Sequence, residues 1–426
     1  MDPAERPSAT KPAPQSLVPT GHKDLQYLVK LPRSPLMSYL RKQAQPAKPV
    51  PKSPVSAPVT FPALAAFAST KIFRWIPEYV LYRIGRRHKF LTYPASDSSN
   101  GVYKLNEGAE ETRVALAGDW ASGTDEAVSV ANHIASFDPH YTIHLGDVYY
   151  VGGRNETGEN FLGIDNPHNH YQPCRWPAGS LGAFALNGNH EMYALGKAYF
   201  DEMLPTLGAL KDGRPEGQRA SFFCLENEHW RIIALDTGYM SIGVPVLEYF
   251  WPPDCGLPAA VLQWLRKIVH GDRRATILLS HHNPFSRYDT SYPRQAVQLK
   301  EFFAEHPVLW FWGHEHRFMI YKEYRVADGI SALGRCIGHG GMPIELPGEV
   351  KDRNCPVEFE DSRLYPNDEN LTVGYNGFAT LVLRGNQLEI RYIDVFGETV
   401  FSEQWSACDG VLTRTGSSVG VAASVR

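Results

Sequence analysis

The chain has 426 residues, 43% of them hydrophobic with 21 Tyr, 20 Phe and 9 Trp, which is enough apolar surface for a large core. A formal net charge of -4 gives none of the basic footprint that a nucleic-acid binder needs, so nucleic acid is not an expected partner. The six cysteines (Cys174, Cys224, Cys255, Cys336, Cys355, Cys408) have no CxxC or other ligand-like spacing and read as reduced core thiols, which argues against a disulfide framework or a thiolate metal site.

Residues 1–60 are rich in Pro mixed with Ala, Ser, Lys and Gln. Such a segment cannot bury enough apolar surface to offset the entropy of ordering it, so a mostly disordered extension is predicted, with a short docking element over 24–40. Its polar start lacks the continuous apolar run of a secretory signal, and the apolar stretch after Phe61 is broken by Lys71, Arg74 and Pro77. A cytoplasmic location is therefore expected, and the glycosylation patterns beginning at Asn155 and Asn370 read as chance.

Residues 61–108 turn aromatic and basic, with Phe67, Phe73, Trp75, Tyr79 and Tyr82 among Arg74, Arg83, Arg86 and Arg87. Pro77 suits the first turn of a helix, and Val80, Leu81 and Ile84 come next at helical spacing. A basic amphipathic helix can lie on a membrane surface. Packing of its stripe on the protein's own core is the commoner use, and is the expectation here.

From Arg113 onward, short β-type runs alternate with helical segments, which predicts an α/β domain over 109–405. The run 114–117 leads into Gly118-Asp119, and a helix over 125–137 carries Ala127, Val130, Ala131 and Ile134 on one face. The run 141–145 leads into Gly146-Asp147, 183–186 into Gly188-Asn189-His190, and 231–235 into Asp236-Thr237. A helix over 259–269 is closed by Gly271; the run 276–279 then ends at His281, and 308–312 ends at Gly313-His314. Runs at 380–384, 388–392 and 399–401 read as meander strands, and 406–426 as a flexible tail.

Loops at the carboxyl ends of strands are where α/β sheets present ligands, and these strand ends carry residues that coordinate metal. Carboxylate, imidazole, amide and phenol together suit Fe, Mn and Zn. An isolated Asp or His at a strand end is usually a turn or capping residue; an ordered series is not. The series Gly118-Asp119, Gly146-Asp147, Gly188-Asn189-His190-Glu191, Ser280-His281 and Gly313-His314-Glu315-His316 resembles the ordered motifs of calcineurin-like metallophosphoesterases, over roughly residues 113–318. Most of that superfamily has D-x-H in the first motif, whereas Asp119-Trp120-Ala121 has no such histidine. Purple acid phosphatases lack it too and place a tyrosine three residues after the bridging aspartate, the position of Tyr150, with Tyr149 its rival.

The resemblance implies a four-layer α/β/β/α sandwich of two mixed sheets and hydrolysis of phosphate esters, monoesters first, by a metal-activated water. Diesters such as a cyclic nucleotide or lipid headgroup, or a non-catalytic scaffold of the same fold, are the alternatives. It implies that Asp119, Asp147, Tyr150 and His316 hold a first metal, Fe(III), and that Asn189, His281 and His314 complete a second site for Fe, Zn or Mn, with Asp147 shared between them. Two cations about 3.5–4 Å apart need such a shared anion. His190 resembles the family's catalytic histidine and would meet the phosphoryl oxygen or the leaving alkoxide. In the doublet His281-His282 the nearer to the strand end is taken as the ligand, and His282 is left to a supporting or substrate-facing place. Among the other histidines, His144 reads as a core residue, His339 sits in a Gly-rich loop that could approach the site, and His168 and His170 lie in an insertion.

Overall fold

The computed structural model of the chain describes residues 72–106, 108–164, 173–241, 252–346, 348–364 and 373–420. The expectations for 1–60 and 24–40, for His168 and His170, and for the pattern at Asn370 lie outside these residues.

Two mixed sheets stack face to face. One has eight strands in the order β1-β7-β8-β9-β10-β12-β11-β13: β1 (Val102–Lys104), β7 (Phe223–Glu226), β8 (Trp230–Leu235), β9 (Ala275–Ser280), β10 (Val308–Trp312), β12 (Ser331–Ile337), β11 (Phe318–Arg325) and β13 (Val357–Glu360). The other has nine, β17-β16-β15-β14-β2-β3-β4-β5-β6: β17 (Val411–Val419), β16 (Thr399–Cys408), β15 (Gln387–Asp394), β14 (Gly377–Arg384), β2 (Thr112–Ala117), β3 (Tyr141–His144), β4 (Gly182–Ala185), β5 (Gly208–Lys211) and β6 (Arg214–Pro215). β2, β3 and β4 run parallel in one sheet, and β8, β9 and β10 in the other. These central strands are buried on both faces, which is why they read as continuous apolar runs. β15 is half-buried and alternates along its length.

Three apolar cores separate four layers. Between the sheets, Leu116, Ile143 and Phe184 meet Ile232, Ile277 and Leu309. Outside the nine-stranded sheet packs α2 (Asp125–Ser136), through Ala127, Val130, Ala131 and Ile134, the face its sequence spacing predicts. Thr124 caps this helix by accepting from the Ala127 N–H. Outside the eight-stranded sheet packs α3 (Ala259–Val269), through Val261, Trp264 and Leu265.

Two expectations need correction. Residues 406–419 are not a flexible tail: β16 continues to Cys408, and β17 pairs with it as an antiparallel edge strand. The exposed, polar composition of Val411–Val419 is that of an edge strand facing water, which resembles a loop when read residue by residue. The second concerns α1 (Ile72–Arg83), where Pro77 lies inside the helix and not in its first turn. Its expected apolar stripe does not pack: Val80, Leu81 and Ile84 are exposed, and the helix docks through Glu78 and Tyr82 instead. Phe90 and Tyr93, further along the segment, do join the core. All six cysteines are free thiols, five of them buried.

A fully buried ion pair ties the two sheets together. Arg335 of β12 donates from Nε and Nη2 to both oxygens of Glu403 in β16, at 2.8 and 2.6 Å, while Tyr392 and Trp405 donate to the same carboxylate. Removing one member strands a charge in a dry interior. Glu403→Ala is expected to lower the unfolding free energy by about 3–5 kcal/mol in a urea titration, and Arg335→Met with Glu403→Leu to recover much of the loss. A single variant within about 0.5 kcal/mol of wild type would contradict this reading of the pair.

Candidate metal centre

The carboxyl ends of β2, β3, β4, β8, β9 and β10 converge on one edge of the sandwich and deliver Asp119, Asp147, Asn189, Thr237, His281 and the pair His314 and His316. Two glycines make the approach possible. A Cβ on Gly188 would lie 2.1 Å from Oδ1 of Asp147, and one on Gly313 would lie 2.6 Å from Oδ2 of Asp119. Asp119, Asp147 and His314 all take positive φ (57°, 73° and 64°), a backbone region that side chains other than glycine seldom occupy. Such strain collects where the surrounding structure holds functional side chains in place.

The donors form two groups. In the first, the Tyr149 hydroxyl lies 2.6 Å from Asp119 Oδ1, 3.0 Å from Asp147 Oδ2 and 2.8 Å from His316 Nε2. In the second, Asn189 Oδ1 lies 3.0 Å from both His281 Nε2 and His314 Nδ1, and His281 Nε2 lies 3.3 Å from Asp147 Oδ1. Asp147 is thus divided between them, one oxygen facing each.

The phenol among these ligands belongs to Tyr149, and the assignment of Tyr150 is corrected. An isolated bridge pairs Val148 with Ala121, and the Tyr149 N–H donates to the Ala121 carbonyl. These contacts hold the turn after Asp147 so that the Tyr149 hydroxyl reaches Asp119, Asp147 and His316. Tyr150 falls on the other side. Its N–H and that of Val151 are held by the Glu156 carboxylate, its carbonyl is bonded to His190 Nδ1, and its ring packs against His190 at 5.2 Å.

Further side chains orient the ligands. Tyr193 accepts from the Asn189 amide nitrogen at 2.7 Å, which turns the amide oxygen toward the two imidazoles. The Leu145 carbonyl accepts a hydrogen bond from His281 Nδ1 at 2.9 Å, leaving Nε2 to face Asp147. Glu191 accepts from the N–H groups of Gly188 and Asp147, and burial and the Asp147 charge push its carboxyl up to about 8. Tyr292 lies 3.2 Å from His314 Nε2. Sequence reading passed over Tyr193, Glu156 and Tyr292 and marked Thr237 only as a strand end; Tyr193 left a trace one helical turn after Asn189.

The other histidines divide. His190 packs between Tyr149 and Tyr193 and donates its backbone N–H to Asp147. His282 is 1% exposed, with Nδ1 3.1 Å from the Thr237 hydroxyl and its ring against His281, His314 and Tyr292. Of the two places expected for His282, supporting or substrate-facing, its burial against the neighbouring imidazoles favours the supporting one. His144 sits among Trp120, Phe161 and Trp176 with neither ring nitrogen hydrogen-bonded, and burial pulls its pKa down to about 3. His339 is buried and stacks on Phe318, so it belongs to the core.

These residues fit a pair of cations. Asp119 and Asp147 are buried, yet no Lys or Arg pairs with either among the described residues. Burial opposes the charged form of His281, but Asp147 outweighs it and lifts the imidazole to about 9. Burial and the His281 charge press His314 down to about 4, which favours its neutral imidazole. Asp119, Asp147 and His281, like His281, His282 and His314, bring ligand atoms within 4.8 Å of one another. Oxygen and imidazole donors with buried carboxylates call for hard-to-borderline cations. A larger groove of about 1250 Å³ lies at the opposite ends of the strands, lined by Lys104, His229 and Arg274, and contains none of these ligands.

Residues 112–318 match the family model of the calcineurin-like phosphoesterases. Among curated proteins, no relative matches the sequence. Solved structures with a similar fold include GAP50, the anchor in the inner membrane complex of Plasmodium, at 15% identity over 71% of this chain and 91% of that one, with a TM-score of 0.46. A conserved uncharacterized protein of Streptococcus pneumoniae, described as a predicted phosphoesterase, matches at 9% identity over 72% and 98% of the two chains, with a TM-score of 0.25. Vacuolar Protein Sorting 29 of Cryptosporidium parvum matches at 12% identity over 73% and 100%, with a TM-score of 0.26. The fold of this chain is the two-sheet α/β fold of metallophosphoesterases.

Proposed function

We propose that this chain hydrolyses phosphate monoesters at a dinuclear metal centre of the purple acid phosphatase kind. Asp119, Asp147, Tyr149 and His316 would hold one ion, and Asp147, Asn189, His281 and His314 the other. The observation that carries the reading is the division of Asp147, with Oδ2 in the Tyr149 group and Oδ1 in the His281 group. Two such cations supply charge to the phosphoryl oxygens and acidify a water for in-line attack, so no phospho-enzyme is needed.

The chain's own residues do the rest. Tyr193 and the Leu145 carbonyl fix which atoms of Asn189 and His281 face the site. The Tyr150 carbonyl accepts from His190 Nδ1, so that nitrogen keeps its proton and Nε2 is the atom that exchanges one. Nε2 lies on the Asp147 side, 3.7 Å from Oδ2, where the doubly protonated ring, a form that burial opposes and Asp147 favours, would give a proton to a departing alkoxide. Beside His316 a cavity of about 330 Å³, lined in part by Tyr288, Asp289, Arg317 and Pro343, gives room for the alcohol portion of an ester.

The test is turnover of p-nitrophenyl phosphate and of an alkyl phosphate by protein loaded with Fe, Zn or Mn. His190→Ala should lower alkyl phosphate turnover by about 100-fold or more with metal content unchanged. The deficit should shrink for p-nitrophenyl phosphate, whose leaving group needs no proton. Equal losses on both substrates would give His190 an orienting role. A metal-loaded chain that turns over neither ester would be a binding scaffold, and the hydrolase reading would fall.

A further inference from the structure

The two most exposed large apolar side chains among the described residues, Ile84 (79%) and Leu81 (66%), are neighbours on one helical surface with Val80 (53%) and Ile76 (38%). At about 100° per residue these four positions span an arc of roughly 140°. Ile84 continues the last turn, its N–H donating to the Leu81 carbonyl. The opposite side of α1 is anchored: Glu78 accepts from the Asn155 N–H, and the Tyr82 hydroxyl accepts from the Arg154 N–H. The helix is thus fixed on the protein with its apolar arc facing outward. Met240, exposed as well, lies between the Tyr239 and Ser241 carbonyls that the Arg87 guanidinium holds.

Charge singles out the same segment. The whole chain carries a formal net charge of -4, yet 72–93 contains five basic residues and one carboxylate, and that carboxylate, Glu78, is buried. Arg86 and Lys89 are exposed next to the apolar arc. An outward apolar stripe rimmed by cations is the pattern of a helix that lies in the plane of an anionic bilayer. A protein partner of ordinary kind would not demand the excess of positive charge, whereas an anionic headgroup layer does.

We propose that α1 and the turn after it are a membrane-docking surface, with Ile76, Val80, Leu81 and Ile84 entering the headgroup boundary of an anionic bilayer and Arg86 and Lys89 meeting its charge. The surface is anchored to Arg154 and Asn155, a few positions along the chain from Tyr149 and Tyr150. Docking there would bring the chain to the membrane whatever reaction the centre performs. The inference is independent of the hydrolase reading.

The experiment is co-sedimentation of the full chain with vesicles of phosphatidylcholine, with and without phosphatidylserine. Wild type should sediment with the anionic vesicles and be released by high salt. Leu81→Glu with Ile84→Glu should cut the bound fraction at least about tenfold, and Arg86→Glu alone should weaken binding severalfold. Both variants change exposed side chains, so their melting temperatures should match wild type, which separates lost docking from lost folding. Wild type that ignores anionic vesicles would overturn the proposal. So would a wild-type dimer in sedimentation velocity that the double variant splits while vesicle binding stays absent, since the arc would then be covered by a second copy.

Discussion

Asp147→Ala should reduce phosphate-ester turnover by about 1000-fold or more, on the order of 4 kcal/mol of barrier. The carboxylate is 1% exposed, and its two oxygens face different ligand groups. Two cations held a few ångströms apart repel each other, and the shared anion is what offsets that repulsion. Without it, both ligand groups lose a member together, so metal content should fall at both positions and not at one. The loss spreads further, because Asp147 Oδ1 also accepts the His190 N–H at 3.0 Å and thereby sets the first turn of the segment that carries Asn189. Asp147→Asn keeps the shape and removes the charge, and should lie between wild type and Ala in metal content. Elemental analysis and p-nitrophenyl phosphate turnover on the same preparations check both statements. Wild-type turnover in the Ala variant would remove Asp147 from the chemistry.

Tyr149→Phe should bleach the iron-loaded, oxidised protein, while Tyr150→Phe should leave its colour intact. Burial, then Asp119 and Asp147, hold the Tyr149 phenol well above its usual range, so without a metal it is a proton donor to those carboxylates. Ligation as phenolate needs a cation that displaces that proton, and the proposed centre places Fe(III) at this group, with Fe, Zn or Mn beside it. A phenolate bound to ferric iron absorbs visible light, and its removal also takes one hard anionic donor from the first group. Iron retention should drop with the colour. Tyr150→Phe leaves the metal-facing phenol in place; the bond to His190 comes from the Tyr150 backbone and survives the change. Visible spectra and iron content of the two variants decide the matter. Bleaching by Tyr150→Phe alone would mean that the phenol reaching the iron is not the one placed among Asp119, Asp147 and His316.

Most of the candidate metal centre was legible in the sequence, because its candidate ligands sit in short motifs at the ends of apolar runs. A buried parallel strand is a continuous hydrophobic stretch, and the residues immediately after it belong to the carboxyl edge where ligands gather. Strand-end position together with the resemblance to calcineurin-like motifs therefore marked Asp119, Asp147, Asn189, His281, His314 and His316, which lie together in the structure. The layers were legible for a related reason, since α2 carries its buried face at helical period. Beyond the reach of sequence was the direction of the chain where it leaves a strand. The turn after Asp147 decides whether Tyr149 or Tyr150 faces it, and that turn is held by contacts with Ala121, 27 positions from Val148 along the chain. The same limit hid the contact between Thr237 and His282. The polar strand β17 passed for a tail, because only its pairing with β16 makes it a strand. The stripe of α1 was visible as a pattern, but a period of 3.6 says only that the helix has an apolar face. Whether that face meets the core or the solvent depends on which side carries the anchors, and Glu78 and Tyr82, reaching residues more than seventy positions away, hold the helix with the stripe turned out.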